Sequence, residues 1–209
     1  MQFKDRIDVA NQLIPLLGKY RGEDGVVLAV PRGGVPIGHL IAENLKFPLE
    51  LIFTKKIGHP SNKEYAIGAI SMESAVLNSN IDPNEPYILD EIIEIRKKLK
   101  EQYKKFMGSR KPINISGKTV IIVDDGIATG NTILATIKLI RKSHPKKIIL
   151  CTAVAPAETA KKLEQEVDDF ICLYTPSNFV SVGQFYENFE QVSDEEVISI
   201  IEGSPLYSK

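Results

Sequence analysis

Five short apolar runs, most of them separated by stretches with helical spacing, constrain the fold of this chain more than any other feature. They are Val26-Val27-Leu28-Ala29-Val30, residues 49–54, Val120-Ile121-Ile122-Val123, residues 148–154 and residues 169–174. Most are continuous in Val, Ile and Leu and too short for a helix, the pattern of strands buried on both faces. Between them, residues 35–46, 90–107, a segment ending near 142 and residues 157–166 read as helices; Ile92, Ile95, Leu99, Tyr103 and Phe106 form one face of the second. Strands alternating with helices predict an α/β fold, a mainly parallel sheet with helices on both faces. Ahead of the series, Phe3, Ile7, Ala10, Leu13, Ile14 and Leu17 mark a helix that Pro15 is expected to kink. Residues 56–64 read as a polar loop, and short strands are expected at 66–71 and 75–78.

Composition removes whole classes of function. The 209 residues are 43% hydrophobic with a net charge of −1, which excludes a disordered or fibrous chain. It also argues against a protein that binds nucleic acid through bulk charge, so no nucleic-acid partner is expected. Charge is nonetheless segregated. Residues 91–118 hold nine Lys/Arg against three Glu, and residues 156–209 hold three Lys against eleven Asp/Glu. Such runs read as solvated helix faces, the alternative being a basic helix that meets an acidic tail of a second subunit or a polyanion. Cys151 and Cys172 lie in apolar stretches without C-x-x-C spacing, and His39, His59 and His144 are scattered. Two buried free thiols and no zinc site follow. The charged N-terminal residues do not resemble a secretory signal, and no run approaches the ~18 apolar residues of a membrane span. A soluble, cytoplasmic protein without a membrane partner is expected, as one domain over 1–209 with a helical insertion at about 72–115 and a hood segment at about 176–190.

Chemistry concentrates in residues 120–133, Val-Ile-Ile-Val-Asp124-Asp125-Gly126-Ile127-Ala128-Thr129-Gly130-Asn131-Thr132-Ile133. Two adjacent carboxylates end a buried strand, and a loop of small and hydroxyl residues enters a helix. In open parallel sheets, ligands bind beyond the carboxyl ends of the strands. A loop of this kind presents backbone N–H groups to a phosphate, with Thr129 and Thr132 as further donors. Carboxylates beside a phosphate repel it unless they face hydrogen-bond donors, and sugar hydroxyls supply these. A phosphorylated sugar with free neighbouring hydroxyls satisfies both halves. Rival nucleotide loops fail: three residues separate Gly126 from Gly130, Asn131 stands where a P-loop needs Lys, and Arg32-Gly33-Gly34-Val35-Pro36-Ile37-Gly38 is not G-x-G-x-x-G.

Residues 120–133 resemble the phosphoribosyl-pyrophosphate (PRPP) binding signature of type I phosphoribosyltransferases. The resemblance covers roughly residues 1–202. It is nearest to a bacterial group of unassigned acceptor that carries Phe3-Lys4-Asp5-Arg6, Arg32-Gly33-Gly34-Val35-Pro36 and Val182-Gly183-Gln184-Phe185-Tyr186-Glu187-Asn188-Phe189. The resemblance implies that Asp124 and Asp125 hold the ribose hydroxyls, and that Ala128, Thr129, Gly130, Asn131 and Thr132, beside Gly126, take the 5′-phosphate. Pro31, Arg32, Gly33 and Gly34 match a loop that grips pyrophosphate, often through an unusual peptide conformation. Glycine lets backbone approach an anion, and Arg32 can donate two parallel hydrogen bonds to phosphate. Lys55, Lys56 and the residues to about Tyr65 fall where the family has a lid that excludes water. Asp124, Asp125, Arg32 and Lys56 are the implied catalytic set. Mg2+ is the implied cofactor, held mainly by PRPP with Asp124 and Asp125 acting indirectly.

The implied reaction displaces pyrophosphate from PRPP by a nitrogenous base or amine. Phe179, Phe185 and Tyr186 are the candidates for stacking on that acceptor. Ala128 stands where 6-oxopurine members carry an acid, which weakens a guanine or hypoxanthine assignment. A homodimer is expected. The rival reading is a PRPP-sensing regulator without turnover. PRPP synthesis is disfavoured, because the chain lacks the repeat of a tandem architecture.

Overall fold

A computed structural model describes residues 2–203 of the chain, with the side chains of residues 63–66 outside the description. In chain order the elements are α1 (Arg6–Leu17), β1 (Gly25–Ala29), α2 (Gly34–Leu45), β2 (Leu49–Leu51), β3 (Lys55–His59), β4 (Asn62–Ile70), β5 (Ala75–Leu77) and α3 (Pro86–Met107). They continue with β6 (Thr119–Asp124), α4 (Asn131–Arg141), β7 (Lys147–Val154), α5 (Ala157–Glu164), β8 (Asp169–Tyr174) and α6 (Asp194–Gly203).

The apolar runs pair in parallel, as expected, into a five-stranded sheet of order β2-β1-β6-β7-β8. Successive side chains on a strand point to opposite faces. Val27, Ala29, Ile121, Val123, Ile149 and Cys151 therefore join one core, and Val26, Leu28, Val120, Ile122, Ile148 and Leu150 the other. The first core takes residues of α1, α2, α3 and α6; the second takes residues of α4 and α5. From β1 the chain moves to β2 on one side, and β6 pairs on the other. The order therefore reverses between β1 and β6, where open α/β sheets hold ligands.

Several local expectations change. Residues 56–64 are not an open loop, because β3 and β4 form an antiparallel hairpin that β5 extends to three strands. The polar composition concealed it: Lys55 and Lys56 are exposed, Ile57 is the apolar anchor of β3, and register shifts on either side of Gly58 spoil the alternation. Helix α1 runs through Pro15, which sits exposed in the last turn. Cys151 is buried, whereas Cys172 is half-buried, and both thiols are free. The segregated charge meets within one chain, since Lys105 on α3 pairs with Asp194 on α6 at 2.5 Å and Arg110 donates to the carbonyl of Ile201. Among the described residues, no helix is long and apolar enough to cross a membrane.

Glu50 on β2 is 5% exposed, and its carboxylate accepts from Leu51 N at 2.8 Å, Tyr103 Oη at 3.1 Å and Ile113 N at 3.1 Å. Loss of water nevertheless pushes its acid above the ordinary carboxylate range. The folded chain then binds this proton more tightly than the unfolded one. Its contribution is fully present below about pH 4 and is lost as pH rises through the raised value. Urea midpoints followed upward from about pH 4 should fall less steeply in Glu50→Gln than in the parent.

Candidate functional site

Two loops leave the sheet at the β1/β6 switch point. The first, residues 30–34, is tied to β6 by Val30 N donating to the carbonyl of Val123 at 2.9 Å, and Gly34 N returns to the carbonyl of Val30 at 3.0 Å. The Pro31–Arg32 peptide bond is cis. A side chain at Gly33 would lie 1.9 Å from Asp125 Oδ2, so the absence of a Cβ is what lets this loop sit against the carboxylate.

The second loop begins at Asp124, the last residue of β6, and enters α4 at Asn131. Ile127 N bonds the carbonyl of Val154, and Thr159 Oγ1 holds the carbonyl of Ala128 at 2.9 Å. Gly130 has φ +73°, a left-handed turn that glycine adopts freely, and no side chain caps the helix behind it. The first-turn N–H groups of α4 thus carry no side-chain acceptor, which suits an anion. Ala128, Thr129, Asn131 and Thr132 are exposed around this turn.

Both carboxylates are electrostatically displaced. Burial pushes Asp124 well above the usual carboxylate range, and the neighbouring Asp125 charge adds to the shift. Burial raises Asp125 as well, against the opposing pull of Arg6. That guanidinium contacts Asp125 Oδ2 through Nε at 2.9 Å and Nη2 at 2.8 Å. Its Nη1 donates to the carbonyl of Glu190 at 2.8 Å, and its Cζ lies over the Phe189 ring, 4.3 Å from the centroid. Tyr186 Oη donates to the Asp125 carbonyl at 2.6 Å. Arg32 Nη1 lies 3.2 Å from Asp194 Oδ1, whose other oxygen pairs with Lys105. A pocket of 240 Å³ opens here, lined by Arg6, Arg32, Gly33, Asp125, Phe189 and Gln191.

Arg32, Gly33, Asp125, Gly126, Ala128, Thr129 and Gly130 therefore stand on the two loops of the switch point, with Gly34, Asp124, Asn131 and Thr132 at the element ends that these loops join. Lys55 and Lys56 begin the hairpin, on strand rather than loop, and Tyr65 has its side chain outside the described residues. Two of the three aromatics expected to stack on an acceptor do not have a face to offer. Phe185 is 6% exposed and Tyr186 4%, packed against Tyr174 and Phe179 in one case and Phe3 and Phe189 in the other. A buried ring already covered by neighbours serves the core, and only Phe179 stays half-exposed. Sequence reasoning gave no role to Arg6, Lys105 or Asp194. Arg6 stood in a noted motif, but its partner is 119 residues away.

Comparison with known proteins agrees with this arrangement. The phosphoribosyl transferase domain model matches residues 4–190. The chain is 34% identical over 205 residues to a Mycobacterium tuberculosis protein named "Putative phosphoribosyl transferase Rv0571c", covering 96% of this chain and 46% of that protein. It thus spans about half the length of that relative. A 63-residue stretch is 43% identical to the uracil phosphoribosyltransferase of Mycoplasma genitalium, 29% of this chain and 31% of that enzyme. The crystal structure of TT1426 from Thermus thermophilus superposes with a TM-score of 0.88 at 29% identity, covering 98% of this chain and 99% of that one. With the family model spanning every strand of the parallel sheet whose switch point carries the two loops, the chain belongs to the phosphoribosyl transferase family.

Proposed function

We propose that this chain transfers the 5-phosphoribosyl group of PRPP to a nitrogenous base or amine, releasing pyrophosphate. The observation that carries this reading is the meeting of the Arg32-Gly33-Gly34 loop with the Asp124–Asp125 carboxylates at one switch point, beside the uncapped start of α4. The α4 turn takes the 5′-phosphate, Asp124 and Asp125 the ribose hydroxyls, and Arg32 with the glycine backbone the pyrophosphate. The C1′–O bond breaks with its electron pair leaving on pyrophosphate. The acceptor nitrogen supplies the pair for the new C1′–N bond and loses a proton. The protein's work is to orient the partners and stabilise the departing negative charge.

Mg2+ fits this donor set. Asp124 and Asp125 offer the hard oxygen ligands it takes, and among the described residues no group of three or more His, Cys, Asp or Glu forms a cage. When bound it would supply charge neutralisation on the phosphates, with PRPP and water completing its shell. Lys55 and Lys56 place positive charge at the base of the β3–β4 hairpin, which acts with residues 176–190 as the cover over the site. Ala128 has no group to exchange a proton with an acceptor, which counts against a 6-oxopurine.

Incubating the protein with Mg2+, PRPP and a panel of purines, pyrimidines and amines, with pyrophosphate release as the readout, tests this. Release with at least one acceptor is the expected result. PRPP binding without release across the panel would replace the transferase with a PRPP sensor, and no PRPP binding would overturn the reading.

A further inference from the structure

Two motifs to which the bond-making and bond-breaking steps above assign no residue, Phe3-Lys4-Asp5-Arg6 and Val182-Gly183-Gln184-Phe185-Tyr186-Glu187-Asn188-Phe189, lie towards opposite ends of the described chain and converge on one residue. Asp5 caps α1 by accepting from Asp8 N at 2.8 Å, which sets Arg6 at the first turn. Phe3 joins the second motif through a bridge to Tyr186 and a hydrogen bond from its N–H to the carbonyl of Phe185 at 2.7 Å. From there Arg6 grips the Asp125 carboxylate, Tyr186 grips the Asp125 carbonyl, and Phe189 lies under the guanidinium. Val182 fills the space beside Gly126, where an added Cβ would meet it at 2.3 Å. Side chain and backbone of Asp125 are thus held from both ends of the chain.

We infer that Arg6 is a positioning residue for substrate binding. It acts through Asp125, and the inference rests on the PRPP reading of the site. Both guanidinium contacts fall on Oδ2, so the fork of the guanidinium holds that oxygen of the carboxylate in place. Arg6 also cancels one of two adjacent negative charges beside a site that must accept a polyanion. The side chains of Arg6 and Asp125 are each 12% exposed, so solvent screens this effect weakly. The same guanidinium lines the pocket shared by Arg32 and Gly33, where it adds positive potential next to the departing group. Phe189 and the Glu190 carbonyl hold it there, and so an ammonium group on a flexible stem substitutes poorly.

The test measures the Kd of Mg2+-PRPP by isothermal titration, and KM and kcat with whichever acceptor the panel yields, in Arg6→Gln, Arg6→Lys, Asp125→Asn and the Arg6→Gln/Asp125→Asn pair. Arg6→Gln should raise Kd and the PRPP KM about fivefold to tenfold, with kcat at saturating PRPP changed less than about twofold. Arg6→Lys should recover part of the loss. In the Asp125→Asn background the Arg6 change should cost less than about twofold, because the carboxylate charge through which Arg6 acts is gone and only a neutral hydrogen bond remains. An unchanged Kd in Arg6→Gln, or the same loss with and without Asp125, overturns the positioning role and leaves the PRPP reading standing. If Arg6→Gln does not fold, Arg6→Lys decides, and parent-like binding there overturns the role. Failure of the parent itself to bind Mg2+-PRPP removes the reading and the inference together.

Discussion

Asp125→Asn should weaken PRPP binding by about 1.5–3 kcal/mol, tenfold to more than a hundredfold in Kd, while the protein remains folded. The substitution keeps the shape of the side chain and removes its charge, so the loss reports a charged hydrogen bond to a ribose hydroxyl. Its position supports survival of the fold: Asp125 follows the last residue of β6, beyond the sheet register, and its backbone carbonyl stays bonded to Tyr186. Asn can still accept one hydrogen bond from Arg6. Titration of the variant with Mg2+-PRPP, alongside circular dichroism, separates the two quantities. Unchanged affinity in a folded variant would sink the ribose assignment.

Gly34→Ala should act on stability first. Its Cβ would lie 2.4 Å from the Val123 carbonyl oxygen and 3.1 Å from Asp124 Cα, both backbone atoms of the central strand β6. That carbonyl is already engaged by Val30 N, so β6 cannot yield without opening the tie between the two site loops. Forcing a methyl into a packed region costs about 1–3 kcal/mol, several degrees of Tm in a domain of this size. A urea midpoint lowered at unchanged m-value would show that the native packing is the cause. PRPP affinity should fall with it, since relief of the clash moves Asp124 and the Arg32 loop apart. Parent-like stability would mean that the start of α2 retreats from β6.

Residues 120–133 were legible because they are local. Strand, paired acids, small loop and helix start follow one another, and each step of that succession has its own sequence signal. The buried strands were legible for a related reason: burial on both faces demands continuous Val, Ile and Leu, which few other structures tolerate. Of the small sheet, the strands expected at 66–71 and 75–78 correspond to β4 and β5, whereas β3 escaped because its exposed lysines and the register shifts around Gly58 erase a period of two. Phe185 and Tyr186 misled for a different reason. An aromatic residue near a site reads the same in sequence whether its ring faces ligand or core, and only packing against Phe3, Tyr174 and Phe179 separates the two.

By itself, then, the amino-acid order determined the α/β class, the parallel sheet and the succession of paired acids, small loop and helix start after β6, since all of these are written in neighbouring residues. The tertiary structure alone decided that Arg6 meets Asp125 across 119 positions, that Tyr186 holds the same residue from the other side, and that Asp194 joins Arg32 to Lys105. Charged and polar groups pair at a range of a few ångströms, and chain separation carries no information about which of them the packing of α1, α3 and α6 brings that close.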